Sequence, residues 1–484
     1  MTAETSIHTA RDVDPRGPNS RSLALRVLMP SFEGPVLPDD WAQLLREGLG
    51  GICLFGSNIG DGSGVRELTD AIHAANPACL VATDEEGGDV TRLHALTGSP
   101  VLGPAALGAA HDLLLTRGVG RLVGADLAAV GIDLDLGPVA DVNSQPDNPV
   151  IGTRSFGSDP GVAGAHVAAW VHGVQDSGVA ACVKHFPGHG DTAEDSHLAL
   201  PVLDVPLSTL RWRELLPFAA AIAAGTRAVM TSHIVVPALD AALPATLSPA
   251  VLGLLRGELG FDGVIVSDAL DMAGASASRG IPEAAVLSLA AGADLLCIGP
   301  DKPASLVREI QAAIVDAVDG GRLPLVRLED AAARVASLRT SYEPVAVAPH
   351  SYDVPLHEAA ARVLLVEGDL PDLAGAPVLS IATEANIAVG DVPWGLAPDR
   401  VVRPAEKPAY AAGPVIVQVR DAHRRPEVLA ALDRLAESGV TPVVIEWGWP
   451  GPRHREFARI CTRGCSRPGV EAVTELLRKA GWDR

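Results

Sequence analysis

Eight short, continuous apolar runs recur between residues 23 and 299, and their spacing constrains the fold more than any other feature. They read Leu23–Met29, Gly51–Phe55, Cys79–Thr83, Ile132–Leu136, Val179–Val183, Ala228–His233, Gly263–Asp268 and Ala293–Gly299. Runs that are largely apolar, rather than alternating with polar residues, fit strands buried on both faces, as in parallel sheets. Between most of them lies text of helical period: Trp41–Glu47, Leu113–Val130, Gly161–Asp176, Leu210–Ala224, Pro249–Leu259 and Pro282–Ala291. Alternation of strand and helix implies a parallel sheet, and eight units within about 300 residues predict an α/β fold of the (β/α)8 barrel type. An open doubly wound sheet is the alternative, but no G-x-G-x-x-G follows a strand.

In such a barrel the strands' carboxyl ends converge on one mouth. The residues there are Asp84, Asp141, Lys184-His185, His233 and Asp268, far apart in sequence and gathered by the fold. The segment beyond the fifth run is the richest in chemistry. Lys184-His185-Phe186-Pro187-Gly188-His189-Gly190-Asp191-Thr192-Ala193-Glu194-Asp195-Ser196-His197 holds three histidines, one lysine and three acids. Its prolyl and glycyl residues deny it a regular helix.

The domain reading follows from composition and punctuation. Residues 1–21 form a polar leader and 22–340 the barrel, which ends with helical text at Pro303–Ala317 and Val326–Leu338. Residues 341–355, with Pro344, Pro349 and Pro355, read as a linker. Residues 356–484 read as a smaller α/β domain with a mostly parallel sheet. Its strand candidates are Val363–Val366, Pro377–Ile381, Val415–Val419 and Pro442–Ile445, with helices near 426–438 and 470–480. Lacking a dense polar constellation, it is expected to give structural support, dimerise or contribute in a minor way to the cleft.

Composition excludes several classes. A net charge of −21 argues against a nucleic-acid partner, which needs clustered Lys and Arg. Six cysteines in 484 residues are no disulfide framework. Cys53, Cys79, Cys182 and Cys297 lie in or beside strand-like runs and read as reduced core thiols, while Cys461 and Cys465 lack paired ligands for zinc. The leader has no apolar core of a signal peptide, and no run approaches the roughly 20 apolar residues of a membrane span, so a cytoplasmic protein with no membrane partner is expected. His185, His189 and His197 form no H-E-x-x-H pattern, and neither a metal nor a cofactor is expected.

What remains is carboxylate chemistry, since no G-x-S-x-G elbow occurs. Asp268, in Ser267-Asp268-Ala269-Leu270-Asp271-Met272, is placed either to attack an electrophilic carbon or to cap the next helix. Asp84 and Arg92 suit bidentate hydrogen bonding to vicinal hydroxyls, or form a structural ion pair. In Asp195-Ser196-His197 a carboxylate can orient an imidazole that serves as both acid and base. A sugar fits these groups, because retaining glycoside cleavage needs a nucleophile and a second group that donates and then removes a proton.

Lys184 to Thr192, followed by Asp195-Ser196-His197 and Leu200-Pro201, closely resembles the signature of family 3 glycoside hydrolases of the β-N-acetylglucosaminidase type. The resemblance extends through Asp84-Glu85-Glu86-Gly87-Gly88, Arg154-Ser155-Phe156-Gly157 and Ser267–Met272, over residues 22–340. It implies Asp268 as nucleophile and His197, paired with Asp195, as acid/base. It also implies Asp84, Arg92, Arg154, Lys184 and His185 as the residues that bind a terminal N-acetylglucosamine. The implied substrate is a small oligosaccharide from cell wall or chitin. Asp89 departs from the pattern, since the family often carries arginine there. A phosphorylase using the same residues and a non-catalytic sugar-binding barrel are the alternatives. His189 is expected to shape the loop rather than react.

Overall fold

The computed structural model describes residues 19–192, 194, 200–340, 354–383, 386, 388–390, 395–406, 410 and 412–484. Most of the expected leader and linker, and both Asp195 and His197, lie outside the described residues.

Eight strands build the first sheet: β1 (Leu28–Met29), β2 (Gly51–Cys53), β3 (Leu80–Thr83), β4 (Leu134–Asp135), β5 (Ala180–Phe186), β6 (Ala228–Thr231), β7 (Val264–Ser267) and β8 (Leu295–Cys297). Their order is β1-β8-β7-β6-β5-β4-β3-β2, and the ladders between neighbours are parallel. The Cys53 N–H reaches the Pro30 carbonyl at 2.9 Å and brings the two ends of the sheet together as a barrel. Alternate strand residues fill the interior, among them Met29, Cys53, Ala82, Cys182, Met230, Val266 and Cys297. The other face packs under the helices, as period-2 geometry requires.

Two strand readings change. Leu23–Arg26 is helical, within Ser20–Arg26, because the Asn19 side chain accepts the Ser22 N–H and caps that turn; only Leu28–Met29 remains a strand. β5 outlasts its apolar text and takes in Lys184 and His185. The Lys184 N–H and C=O are laddered to the Pro138 carbonyl (3.1 Å) and the Ala140 N–H (2.6 Å). These partners hold the backbone extended whatever the side chains are.

The second sheet contains β9 (Leu365–Glu367), β10 (Val378–Ile381), β11 (Arg400–Val402), β12 (Gly413–Val419), β13 (Val440–Glu446) and β14 (Ala458–Cys461), in the order β9-β14-β13-β12-β10-β11. It is parallel except for β9 against β14. Two strands have too short an apolar text to stand out, Val401-Val402 in one and Ile460-Cys461 in the other. β11 is a mostly exposed edge, and β14 contains Arg459, whose charge is met by Glu367 on the neighbouring strand at 2.6 Å. All six cysteines are free and buried. Among the described residues no helix is long and apolar enough to cross a membrane.

The helices Leu113–Ala129 and Pro160–Asp176, which flank β4 in sequence, pack against each other through glycine. A Cβ on Gly173 would lie 2.3 Å from the Arg117 carbonyl oxygen and 2.9 Å from the Gly120 Cα. Backbone, not a flexible side chain, blocks that space. Gly173→Val is therefore expected to destabilise the fold by about 1–3 kcal/mol, the usual range for overpacking. Urea unfolding monitored by circular dichroism measures this, and an unchanged midpoint would contradict the packing account.

Candidate active site

β5 delivers the central cation. Lys184, 2% exposed, sends its ammonium to Asp84 Oδ1 at 2.7 Å and to Glu86 Oε1 at 2.7 Å. Asp84 follows β3 directly, and Glu86 lies in a short hairpin strand, Glu85–Gly87, that pairs with Val90–Thr91. Arg154 arrives from the 3-10 turn Gly152–Arg154 and grips Glu86 with two parallel bonds, Nε to Oε2 at 2.9 Å and Nη2 to Oε1 at 2.8 Å. Burial works against the charge on Glu86, but Arg154 and Lys184 outweigh it and hold the carboxyl far below its usual range. Asp84 is likewise opposed by burial and held down by Lys184 and then Arg92. The same carboxylates keep Lys184 firmly protonated against its own burial. Arg92 stands 3.6 Å from Asp84 and donates to the Ala388 carbonyl of the second domain at 2.9 Å.

His185 is oriented from behind. Its Nδ1 lies 2.7 Å from Asp141 Oδ2, and Asp141 Oδ1 accepts the backbone N–H groups of His185 (3.2 Å) and His189 (2.8 Å). A carboxylate only accepts, so Nδ1 donates in that bond and Nε2 is the ring nitrogen that Asp141 does not engage. Arg154 Nη2 approaches that Nε2 at 3.5 Å. His189 is buried, and its Nδ1 meets Thr192 Oγ1 at 2.7 Å. Burial lowers its pKa to about 4, so it is neutral.

On the other side of the mouth, Asp268 follows β7. Its Oδ1 accepts the Ala269 N–H at 2.8 Å, and its own N–H meets Thr231 Oγ1 at 3.4 Å. His233 steadies the same turn through the Ala269 carbonyl at 2.9 Å. One cavity of about 610 Å³ is lined by Asp84, Arg92, Arg154, Lys184, His185 and Asp268 together with Glu86, His189 and, from the second domain, Ala388, Val389 and Gly390. Glu86 was absent from the sequence-derived site, and a minor contribution of the second domain to the cleft was among the expectations without Ala388–Gly390 being named. The Asp84-Glu85-Glu86 cluster held the signal for Glu86, whereas Ala388–Gly390 carries no chemical signal at all.

Asp195 and His197 fall outside the described residues, but the chain on either side is anchored. Asp191 accepts from Arg213 at 2.5 Å, and the Pro201 carbonyl accepts the Val235 N–H at 2.9 Å. Arg213 also donates to the adjacent Glu214 at 2.5 Å, both lying in a π-helical turn, Leu210–Glu214. Glu214 packs under Gly188, where a Cβ would lie 2.8 Å from Glu214 Oε2. Burial pushes its pKa up to about 7 from 4.5, with Arg213 opposing. A raised folded-state pKa stabilises the fold at low pH, and that contribution is lost as pH rises from 4.5 through about 7. Glu214→Gln should remove this loss, so its advantage over the natural chain in melting temperature grows between pH 5 and pH 8. A parallel pair of pH–stability curves would refute the assignment.

The family model "Glycosyl hydrolase family 3 N terminal domain" matches residues 36–338. "Beta-hexosaminidase A" of Pseudoalteromonas piscicida is 36% identical over 332 residues, 63% of this chain and 55% of that protein, so the match spans about half of that relative's length. "Beta-hexosaminidase" of Alkalilimnicola ehrlichii is 38% identical over 301 residues, 60% of this chain and 85% of the relative. Among solved structures, a family 3 β-N-acetylglucosaminidase from Paenibacillus sp. str. FPU-7 superposes with a TM-score of 0.83 at 29% identity, covering 96% of this chain and 97% of its own. That correspondence takes in the second domain as well as the barrel. With the model matched across the barrel and the cavity at its mouth, the chain belongs to glycosyl hydrolase family 3.

Proposed function

We propose that this glycoside hydrolase is a retaining exo-β-N-acetylglucosaminidase that removes a terminal N-acetylglucosamine from short cell-wall or chitin-derived oligosaccharides. The observation that carries the reading is the opposition of two groups across one cavity, with Asp268 on one side and the charged Asp84–Lys184–Glu86–Arg154 cluster on the other. The names of the relatives, β-hexosaminidases and a β-N-acetylglucosaminidase, point the same way. A volume of about 610 Å³ is in the range of sites that enclose a small ligand.

In this reading Asp84, Arg92, Arg154, Lys184 and His185 bind the hydroxyls of the sugar. The Asp268 carboxylate attacks the anomeric carbon while His197, oriented by Asp195, protonates the departing oxygen. A glycosyl–aspartate ester results. His197, now neutral, takes a proton from water, whose oxygen attacks the same carbon and releases Asp268. The free buried thiols fit a reducing compartment, and we place the enzyme in the cytoplasm, in turnover of the cell's own wall fragments.

Asp268→Ala should lower kcat/KM on an aryl β-N-acetylglucosaminide by at least about 10³-fold, since the group acts in the bond-making step. His197→Ala should cost about 10²–10⁴-fold on chitobiose and distinctly less on the aryl substrate, whose leaving group needs little protonation. Product analysis on chitobiose, with and without inorganic phosphate, checks the reaction. Free N-acetylglucosamine of retained anomeric configuration is expected in both, and sugar 1-phosphate would replace hydrolysis by phosphorolysis. Full activity in the Asp268→Ala variant would overturn the mechanism.

A further inference from the structure

Asp89 lies in the turn between Glu85–Gly87 and Val90–Thr91, three residues beyond Glu86. Its carboxylate is 4% exposed and meets Arg420, 6% exposed, which leaves the carboxyl end of β12 in the second domain. The contact is two-pronged, Nη1 to Oδ1 at 3.0 Å and Nη2 to Oδ2 at 2.7 Å. Two further donors complete the carboxylate. The Cys465 N–H reaches Oδ1 at 2.8 Å, and the Thr153 hydroxyl reaches Oδ2 at 2.5 Å. Thr153 directly precedes Arg154 in the turn Gly152–Arg154. One buried carboxylate thus joins the hairpin that carries Glu86, the turn that carries Arg154, and two segments of the second domain. At another point where the two domains meet, Ala388 packs against the cluster of Val139, Val150 and Ile151, and its carbonyl holds Arg92.

We propose that the Asp89–Arg420 pair is an interdomain pin that positions Arg154 and the Ala388–Gly390 wall at the sugar site, making Asp89, Arg420 and Thr153 positioning residues for substrate binding. The pin rests on the reading of Arg154 as a sugar-binding group. A fully buried ion pair adds little net stability over an apolar filling of the same space, so its aim at Thr153 matters more than its strength. Displacing a binding group by about 1 Å can cost as much as 10²-fold. Because Arg154 would hold sugar in the ground state and the transition state alike, its displacement weakens binding and leaves the chemical step nearly untouched.

The test uses the full chain, p-nitrophenyl β-N-acetylglucosaminide as substrate and N-acetylglucosamine as competitive inhibitor. Thr153→Val is isosteric and keeps the ion pair; it should raise both KM and Ki about 3–10-fold with kcat within about 2-fold, the size of one lost hydrogen bond. Arg420→Lys keeps the charge but loses the fork and should move both constants in the same direction, less than Arg420→Met does. Arg362→Ala removes a distant, exposed interdomain contact to Asp112 and should match the natural chain. Thr153→Val and Arg420→Lys proteins with natural KM and Ki would overturn the pin while leaving the sugar reading intact, as would losses confined to kcat or melting temperature. A natural chain that neither turns over the substrate nor binds N-acetylglucosamine would overturn the sugar reading and the pin with it.

Discussion

The Lys184 ammonium, lodged between Asp84 and Glu86, is the interaction on which the site depends. It sits at the carboxyl end of the longest barrel strand, with 2% of its side chain exposed. An isolated ammonium at that depth would lose its proton or unfold its surroundings. Two carboxylates at 2.7 Å prevent this, and they in turn need Arg154 and Arg92 to balance them. Each charge is tolerable only because the others are in place. Apolar residues would fill the same volume at equal or better stability. A cluster of this kind therefore fits a site whose task is to present fixed donors and acceptors to a polar ligand.

Fixed donors need a rigid frame, and the frame comes from both domains. The barrel supplies Asp84, Lys184 and Asp268 from the carboxyl ends of β3, β5 and β7, so their separations are set by the hydrogen-bonded ring. Arg154 and Arg92 come from loops, which have no such ladder. They are held instead by carboxylates of the hairpin and by groups from the second domain. The carboxyl ends of parallel strands in an open α/β sheet are its customary ligand-facing edge. Here Arg420 at the end of β12 spends that edge on the barrel.

Much of this was legible in the sequence, for physical reasons that differ by element. The buried strands β2 to β8 announced themselves as apolar runs because both their faces are covered. Leu23–Arg26 carries the same kind of text and is a helix; a short apolar run has no period long enough to separate the two, and the Asn19 cap decided the outcome. β11 and β14 were illegible because an edge strand and a strand with a paired arginine do not need a long apolar text. The residues at the strand ends were legible because the barrel's geometry forces strand ends together. Ala388–Gly390 was not, since a backbone wall has no characteristic side chain, and Asp89 looked like a mere departure from a motif until Arg420 stood opposite.

The same contrast separates the two halves of the chemistry. The carboxylate proposed to attack, Asp268, is fixed by a strand end, with its backbone N–H and Oδ1 both engaged in the turn. The proposed proton carrier, His197, lies five residues beyond Thr192, where the described backbone is pinned. A Cβ on Gly190 would lie 1.8 Å from the Val142 carbonyl oxygen, so only glycine allows that approach, and Arg213 ties down Asp191 next to it. Bond formation at carbon tolerates little error in position, whereas a proton donor has to suit leaving groups of different size and then admit water. Asp268 and Lys184 meet the first requirement from strand ends of the closed ring, and the proposed acid/base, on the chain that follows Asp191, is assigned the second.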